Sequence, residues 1–150
     1  MRAVVQRVSR ASVEVNDNTI GAIDTGVMIL LGIEDDDNKD DINWLCGKIV
    51  KMRIFPDDKE VMNKSLIDVN GDALVISQFT LHASVKKGNR PSYIKAAKPD
   101  VSIPLYNDFV KQLGVEIGKE IQTGEFGAHM KVSLINDGPV TIILDSKRKE

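Results

Sequence analysis

The sequence predicts an α+β fold, a mixed, curled or barrel-like β-sheet flanked by two main helices. Three observations lead there. Short apolar runs of strand character recur along most of the chain. Only two stretches carry the spacing of an amphipathic helix, and turn-forming Gly, Asn and Asp residues punctuate the rest. With 150 residues, of which 42% are hydrophobic and 28% charged, the chain has a globular composition, and residues 1–150 are expected to form one domain.

Strands come first. Val4, Val5 and Val8 precede Ser12-Val13-Glu14-Val15-Asn16, which alternates with period two. Gly21-Ala22-Ile23, the turn residues Asp24-Thr25-Gly26 and the run from Val27 to Ile33 predict a hairpin ending in a buried strand. Ile42, Leu45, Cys46 and Ile49 then share one helical face, which sets a helix from Asn38 or Lys39 to about Lys51. Cys46 lies on that apolar stripe and reads as a core thiol. Arg53-Ile54-Phe55 predicts a short strand ended by Pro56.

Asn70-Gly71-Asp72 marks a turn before the most apolar strand, Ala73-Leu74-Val75-Ile76. Val101, Leu105, Phe109, Val110 and Leu113 define the second helix. Pro104 fits only a first turn, so this helix should begin near Asp100, with Gly114 as its stop. Two final strands, around Met130–Ile135 and Val140–Leu144, flank Asn136-Asp137-Gly138-Pro139.

Charge narrows the function. Twenty basic and 22 acidic residues leave a net charge of −2, unlike a protein that wraps a long nucleic acid. The charges are nevertheless segregated. Glu34 to Asp41 holds six acids and one Lys, whereas Leu81 to Pro99 holds Lys86, Lys87, Arg90, Lys95 and Lys98 with no acid. Such a run is either a solvated surface or a small patch for a phosphate-bearing end. No apolar run is long enough to span a bilayer, the opening residues lack a signal-peptide core, and a single cysteine excludes a disulfide framework. A cytoplasmic protein with no membrane partner is expected.

Ser77-Gln78-Phe79-Thr80 continues the apolar strand with polar groups. In an extended chain Ser77 and Phe79 would face one side, with Gln78, Thr80 and His82 on the other. Both faces start buried and turn polar at the carboxyl end, as they would at a binding site. The same groups would equally serve to satisfy neighbouring backbone. His82 and His129 are the only imidazoles, and neither stands at a fixed spacing from an acid, so a triad requires spatial assembly that spacing does not reveal. No metal-ligand spacing, Walker motif or dinucleotide glycine pattern occurs, so neither metal nor cofactor is expected. Gly138-Pro139 is compatible with a cis or a trans bond.

Six segments in order resemble the D-aminoacyl-tRNA deacylase family of the bacterial and eukaryotic type. They are Met1-Arg2-Ala3-Val4-Val5-Gln6-Arg7-Val8, Arg53-Ile54-Phe55 with Met62-Asn63-Lys64-Ser65-Leu66, Ser77-Gln78-Phe79-Thr80-Leu81, Lys87-Gly88-Asn89-Arg90-Pro91-Ser92, Thr123-Gly124-Glu125-Phe126-Gly127-Ala128, and Asn136-Asp137-Gly138-Pro139-Val140-Thr141. The resemblance implies the deacylase-like fold and a homodimer that hydrolyses the ester between a D-amino acid and the terminal adenosine of tRNA. Its nucleic-acid partner would be the aminoacylated tRNA 3′ end, not DNA.

By that resemblance, Ser77, Gln78, Phe79 and Thr80 line the aminoacyl pocket. Gly138 and Pro139 match a Gly-cisPro element that enters the partner's pocket and screens chirality. Phe126, Gly127, Ala128 and Met130 match the stretch near the adenosine, and Lys86, Lys87 and Arg90 would meet tRNA phosphates. The chain departs from the family at His82, often tyrosine or aliphatic there, and at Ser84, often Asp, so neither inherits a role. Two rivals stand beside the deacylase: a tRNA-end binding module without turnover, and a triad hydrolase of small esters.

Overall fold

The computed structural model describes residues 1–149, and its sheet is organised around one long strand, β1 (Arg2–Val15). One edge of β1 is taken by β8 (Lys131–Asp145) along almost its whole length. The other edge is shared in succession by β3 (Gly26–Gly32), opposite Arg2–Val8, and β2 (Asn18–Ile23), opposite Ala11–Val15. These pairs are antiparallel. β6 (Asp72–Ser77) runs parallel to β3 and β7 (Gln122–Thr123) parallel to β6, so the sheet is mixed, as the sequence predicts. β4 (Phe55–Pro56) and β5 (Met62–Lys64) form a separate ribbon, shorter and later than the strand expected at Arg53.

Two expectations about strand connection are corrected. β2 and β3 are not a hairpin with each other. The hairpin is β1–β2, closed at Asn16-Asp17, both with positive φ of 49° and 60°, a two-residue turn whose twist suits antiparallel strands. β1 is long enough to pair with β2 and β3 one after the other. The carboxyl-terminal segment is likewise one bulged strand, not two, because both its halves pair with β1.

Period two decides the layers. Val27, Ile29 and Leu31 of β3 and Ala73 and Val75 of β6 face the helices, in a core with Leu45, Ile49, Phe109 and Leu113. The alternate residues Met28, Leu74 and Ile76 face the concave side with Val8, Val13 and Ile23. β6 is therefore apolar on both faces, as a parallel interior strand should be. The curl is nearly closed: a Cβ added at Gly21 of β2 would lie 2.8 Å from the Thr123 carbonyl of β7. Glycine is what lets those two backbones meet.

The helices cover the convex face. α1 spans Lys39–Lys51, as its spacing predicts. Asn38 caps it by accepting from the Asp40 amide at 2.8 Å, while Asp41 accepts from the Asn38 amide at 2.9 Å. Cys46 is fully buried, and burial followed by the nearby Glu116 charge pushes its thiol up to about 12. It is the core thiol the sequence indicated, not a nucleophile.

α2 spans Pro99–Ile117 and departs from expectation three times. Pro99 occupies the first helical position, so Pro104 sits inside the helix, where its exposed flank leaves the freed carbonyl to water. The helix runs past Gly114 to a left-handed Gly118 with φ 69°. Its buried line is Ser102, Tyr106, Phe109 and Leu113, while Val101, Leu105 and Val110 lie at the margins. Tyr106 Oη tethers it to the sheet by donating to the Val75 carbonyl at 2.8 Å, while Ser102 Oγ is satisfied locally by the Lys98 carbonyl at 3.0 Å. Among the described residues no helix is long and apolar enough to cross a membrane.

Lys147, after β8, ties the end of the chain back to α1 through a 2.9 Å contact with Asp41. Burial works to raise the Asp41 carboxyl. Hydrogen bonds from Ser146, Lys147 and the Asn38 backbone outweigh it and hold the group down at about 2. A carboxyl depressed below its ordinary 3.8 contributes stability that is complete above that value and lost as pH falls toward 2. Unfolding in urea should therefore show stability falling between roughly pH 4 and pH 2. Asp41→Asn should cost about 1 kcal/mol at pH 7 and make that fall shallower; an unchanged acid limb would contradict the assignment.

Candidate functional site

The site begins where the β3–β6 ladder ends. Register pairs Leu31 with Ser77, and the Gln78 amide donates to the Leu31 carbonyl at 2.7 Å as the last rung. From Phe79 to His82 the chain turns into a single 3-10 turn, not a continued strand. The alternation expected for Ser77 to His82 is thereby overturned. Gln78 and Thr80 still approach, because the tighter turn lets Gln78 Nε2 donate to Thr80 Oγ1 at 2.5 Å. The Phe79 and Thr80 amides open this turn, where no intrahelical carbonyl is available, and no other backbone acceptor engages them among the described residues.

A cavity of about 530 Å³ opens beside this turn, a volume suited to a small-molecule group. Ser77, Gln78 and Phe79 form one wall, and Phe126, Gly127, Ala128 and Met130 form another. Leu31, Ile33, Ile76 and Val132 supply an apolar floor. Phe126 is held edge-on against Tyr106, with ring centroids 5.7 Å apart at 67°. Tyr106 is itself anchored to Val75, and burial pushes its phenol above the ordinary range. The two stretches singled out in the sequence thus meet across one cavity.

Other candidates lie elsewhere. Thr80 does not line the cavity and reaches it only through Gln78. His82 is 3% exposed and points away: its ring packs on Gly32, with Nδ1 3.1 Å from a Glu34 carboxylate oxygen but off the line a hydrogen bond needs. Among the described residues no hydroxyl is paired with it, so no triad forms around this imidazole. His129 borders the cavity, and no acid pairs with it among the described residues. Among the described residues no cluster of three His, Cys, Asp or Glu is placed to hold a metal. Lys86, Lys87 and Arg90 are exposed on the loop that leads from the turn to α2.

Gly138 and Pro139 also lie outside their own chain's cavity. Pairing passes from Gln6↔Thr141 to Val8↔Asn136, two steps along β1 against five along β8, and the surplus residues form an exposed bulge. The Gly138-Pro139 bond in it is cis. Arg7 grips the bulge from below: it is 8% exposed, its Nε donates to the Asp137 carbonyl at 2.7 Å, and a guanidinium NH donates to the Ile54 carbonyl at 2.5 Å. Asn136 closes it from the side, accepting from the Val140 amide at 2.7 Å and donating to Thr141 Oγ1 at 3.0 Å. Gly138 has φ 142°, and a Cβ there would fall 2.9 Å from the Arg7 guanidinium.

With this geometry in hand, the model of the family described as D-Tyr-tRNA(Tyr) deacylase matches residues 4–145. The chain belongs to that family. A D-aminoacyl-tRNA deacylase of Flavobacterium psychrophilum is 63% identical over all 150 residues of both chains, and one from Bacteroides fragilis equally so. A solved structure titled c-Myc DNA Unwinding Element Binding Protein is 41% identical, covers 97% of this chain and 98% of its own, and superposes with a TM-score of 0.90. A probable eukaryotic D-amino acid tRNA deacylase has the same fold at 20% identity, TM-score 0.81, covering 95% of this chain and 97% of its own.

Sequence reasoning missed part of this cavity's lining. Tyr93, Ala96, Lys98 and Ser102 also line the cavity, brought there because the Ala97 amide bonds the Ile33 carbonyl at 2.9 Å. No local motif announces that contact. Arg7 was noted only within an opening motif, although a buried arginine in a strand is itself a signal. Arg7→Met should strand two carbonyls, lowering stability by about 1–3 kcal/mol. It should also speed amide exchange at Asp137, Gly138 and Val140 more than elsewhere; uniform exchange across β8 would refute the clamp.

Proposed function

We infer that the chain hydrolyses D-aminoacyl-tRNA, releasing the free D-amino acid and the tRNA. The single observation behind this is the cavity in which Ser77-Gln78-Phe79 face Phe126-Gly127-Ala128. It has an apolar floor for an adenosine and its aminoacyl group, and uncommitted amides at one edge. Water adds to the acyl carbon, the bond from that carbon to the ribose oxygen breaks, and a proton passes to the leaving oxygen. An amino-acid ester is already activated and the adjacent ribose hydroxyl can assist water. The protein then needs chiefly to position the ester and stabilise the oxyanion, a task for the Phe79 amide at the cavity wall.

That division of labour suits a cavity poor in acid–base groups. Ser77 and Gln78 hold the ester's polar atoms, and Thr80 orients Gln78 instead of attacking, since its hydroxyl accepts from Gln78 and bonds no base among the described residues. Phe126, Gly127, Ala128 and Met130 receive the adenosine, and Lys86, Lys87 and Arg90 meet the phosphates. The net charge of −2 and the confined run of cations favour a strand end over duplex DNA.

We further propose that one domain over residues 1–150 acts as a cytoplasmic homodimer. β8 is an edge strand with Ile135 and Ile143 45% and 69% exposed, and its bulge presents Gly138 and Pro139 outward. Entering the partner's cavity, their backbone would occupy the space an L side chain needs and leave a D side chain free. Glycine has nothing to exclude, so glycyl-tRNA(Ala) should also be a substrate.

A deacylation time course checks these statements. D-tyrosyl-tRNA and glycyl-tRNA(Ala) should be hydrolysed and L-tyrosyl-tRNA spared; binding without turnover would establish the tRNA-end module instead. Thr80→Ala should keep turnover within about tenfold, whereas loss of roughly a thousandfold or more would identify a nucleophile. His82→Ala should lose about 1–3 kcal/mol of stability yet retain kcat. Sedimentation should report a dimer, which charged substitution at Ile143 weakens.

A further inference from the structure

Phe79 and Tyr93 stand together at the rim of the cavity. Their ring centroids are 5.1 Å apart and the planes meet at 73°, yet Phe79 remains 55% and Tyr93 42% exposed. Aromatic rings placed to finish a core would be covered, and this pair is not. Tyr93 is also held in place on both sides. Just before it, Ser84 and Ser92 exchange two backbone hydrogen bonds of 2.8 and 2.9 Å. Just after it, the Ala96 amide returns to the Tyr93 carbonyl at 3.0 Å.

The residues around this pair carry the complementary charge. Lys86, Lys87 and Arg90 lie in the loop that the Ser84–Ser92 bridge closes, Lys95 and Lys98 follow Tyr93, and no acid interrupts them from Leu81 to Pro99. A rigid, half-exposed aromatic surface inside an acid-free cationic stretch suits a single nucleic-acid strand, whose bases stack while its phosphates meet the cations.

We propose that Tyr93, braced by Phe79, is the stacking platform for the base of the nucleotide that precedes the terminal adenosine. This rests on the deacylase function inferred above. The terminal nucleoside and its ester fill the cavity, so the strand leaves across the rim, and its next base meets the rim aromatics. Tyr93 is then a binding residue for the strand, with no part in the chemical step.

The test compares two small esters, a D-tyrosyl ester of adenosine and the same ester of the dinucleotide cytidylyl-adenosine. Wild-type protein should favour the dinucleotide in kcat/KM by about 5- to 150-fold, the equivalent of one stacked base, mostly through KM. Tyr93→Leu should erase that preference, costing the dinucleotide ester far more than the adenosine ester, and Tyr93→Phe should retain it. A 2-aminopurine in the penultimate position should lose fluorescence on binding wild type, a readout that needs no variant. Equal losses on both esters in Tyr93→Leu, no wild-type preference, or unquenched 2-aminopurine would each overturn the platform. A wild-type protein inert toward both esters and toward D-tyrosyl-tRNA would defeat the deacylase function itself, and the platform with it; where only the tRNA is cleaved, the 2-aminopurine signal decides the platform.

Discussion

The site depends on one hydrogen bond, the donation from the Gln78 amide to the Leu31 carbonyl at 2.7 Å. It is the final rung of the parallel ladder between β3 and β6. Up to that rung the chain is committed to the sheet and buried on both faces. Beyond it the Phe79 and Thr80 amides are released from any strand partner while staying attached to a rigid interior strand. Functional donors gain most from such a place, because a preorganised amide needs no rearrangement when charge develops before it. The Arg2 guanidinium steadies the far end of the turn, donating to the Leu81 carbonyl at 2.7 Å and pairing with Asp145 of β8.

A second constraint operates on the opposite side of β1. Arg7 interrupts the apolar alternation of that strand, and burying a guanidinium is costly unless its donors are used. Here they are spent on two carbonyls far apart in sequence, Asp137 and Ile54. The bulge carrying Gly138 and Pro139 is in this way tied to the middle of the longest-paired strand, and it protrudes without being loose. Both features of the proposed chemistry, the amide turn and the protruding bulge, are supported by β1 and its neighbours and not by mobile loops.

Much of this was legible. The spacing of Ile42, Leu45, Cys46 and Ile49 located α1, and the apolar run Ala73–Ile76 located the buried strand whose end forms the site. Both follow from burial of a periodic face, which a sequence displays directly. Less legible were features decided by competition between elements. The start of α2 near Asp100 was legible, but Pro99 takes the favourable first position and leaves Pro104 inside the helix instead of in its first turn. Val101 and Leu105 looked more central than Ser102 and Tyr106, but Tyr106 bonds the Val75 carbonyl of the sheet and Ser102 is satisfied by the Lys98 carbonyl, so both are buried. The halves of β8 read as separate strands because Asn136-Asp137-Gly138-Pro139 has the composition of a turn; β1 pairs with both halves and makes it a bulge.

The sequence by itself determined the class of fold, the two helices, the inert core thiol and the family, since each is written in residues that are local or in order along the chain. Tertiary structure alone decided that Ser77–Phe79 and Phe126–Met130 share one cavity, that Tyr93 joins Phe79 at its rim, and that Gly138 and Pro139 face outward on a clamp made by Arg7. The physical reason is distance along the chain. Periodicity reports which face of an element is buried, whereas the partner across a cavity or under a bulge is chosen by how a sheet curls and where its ladders stop.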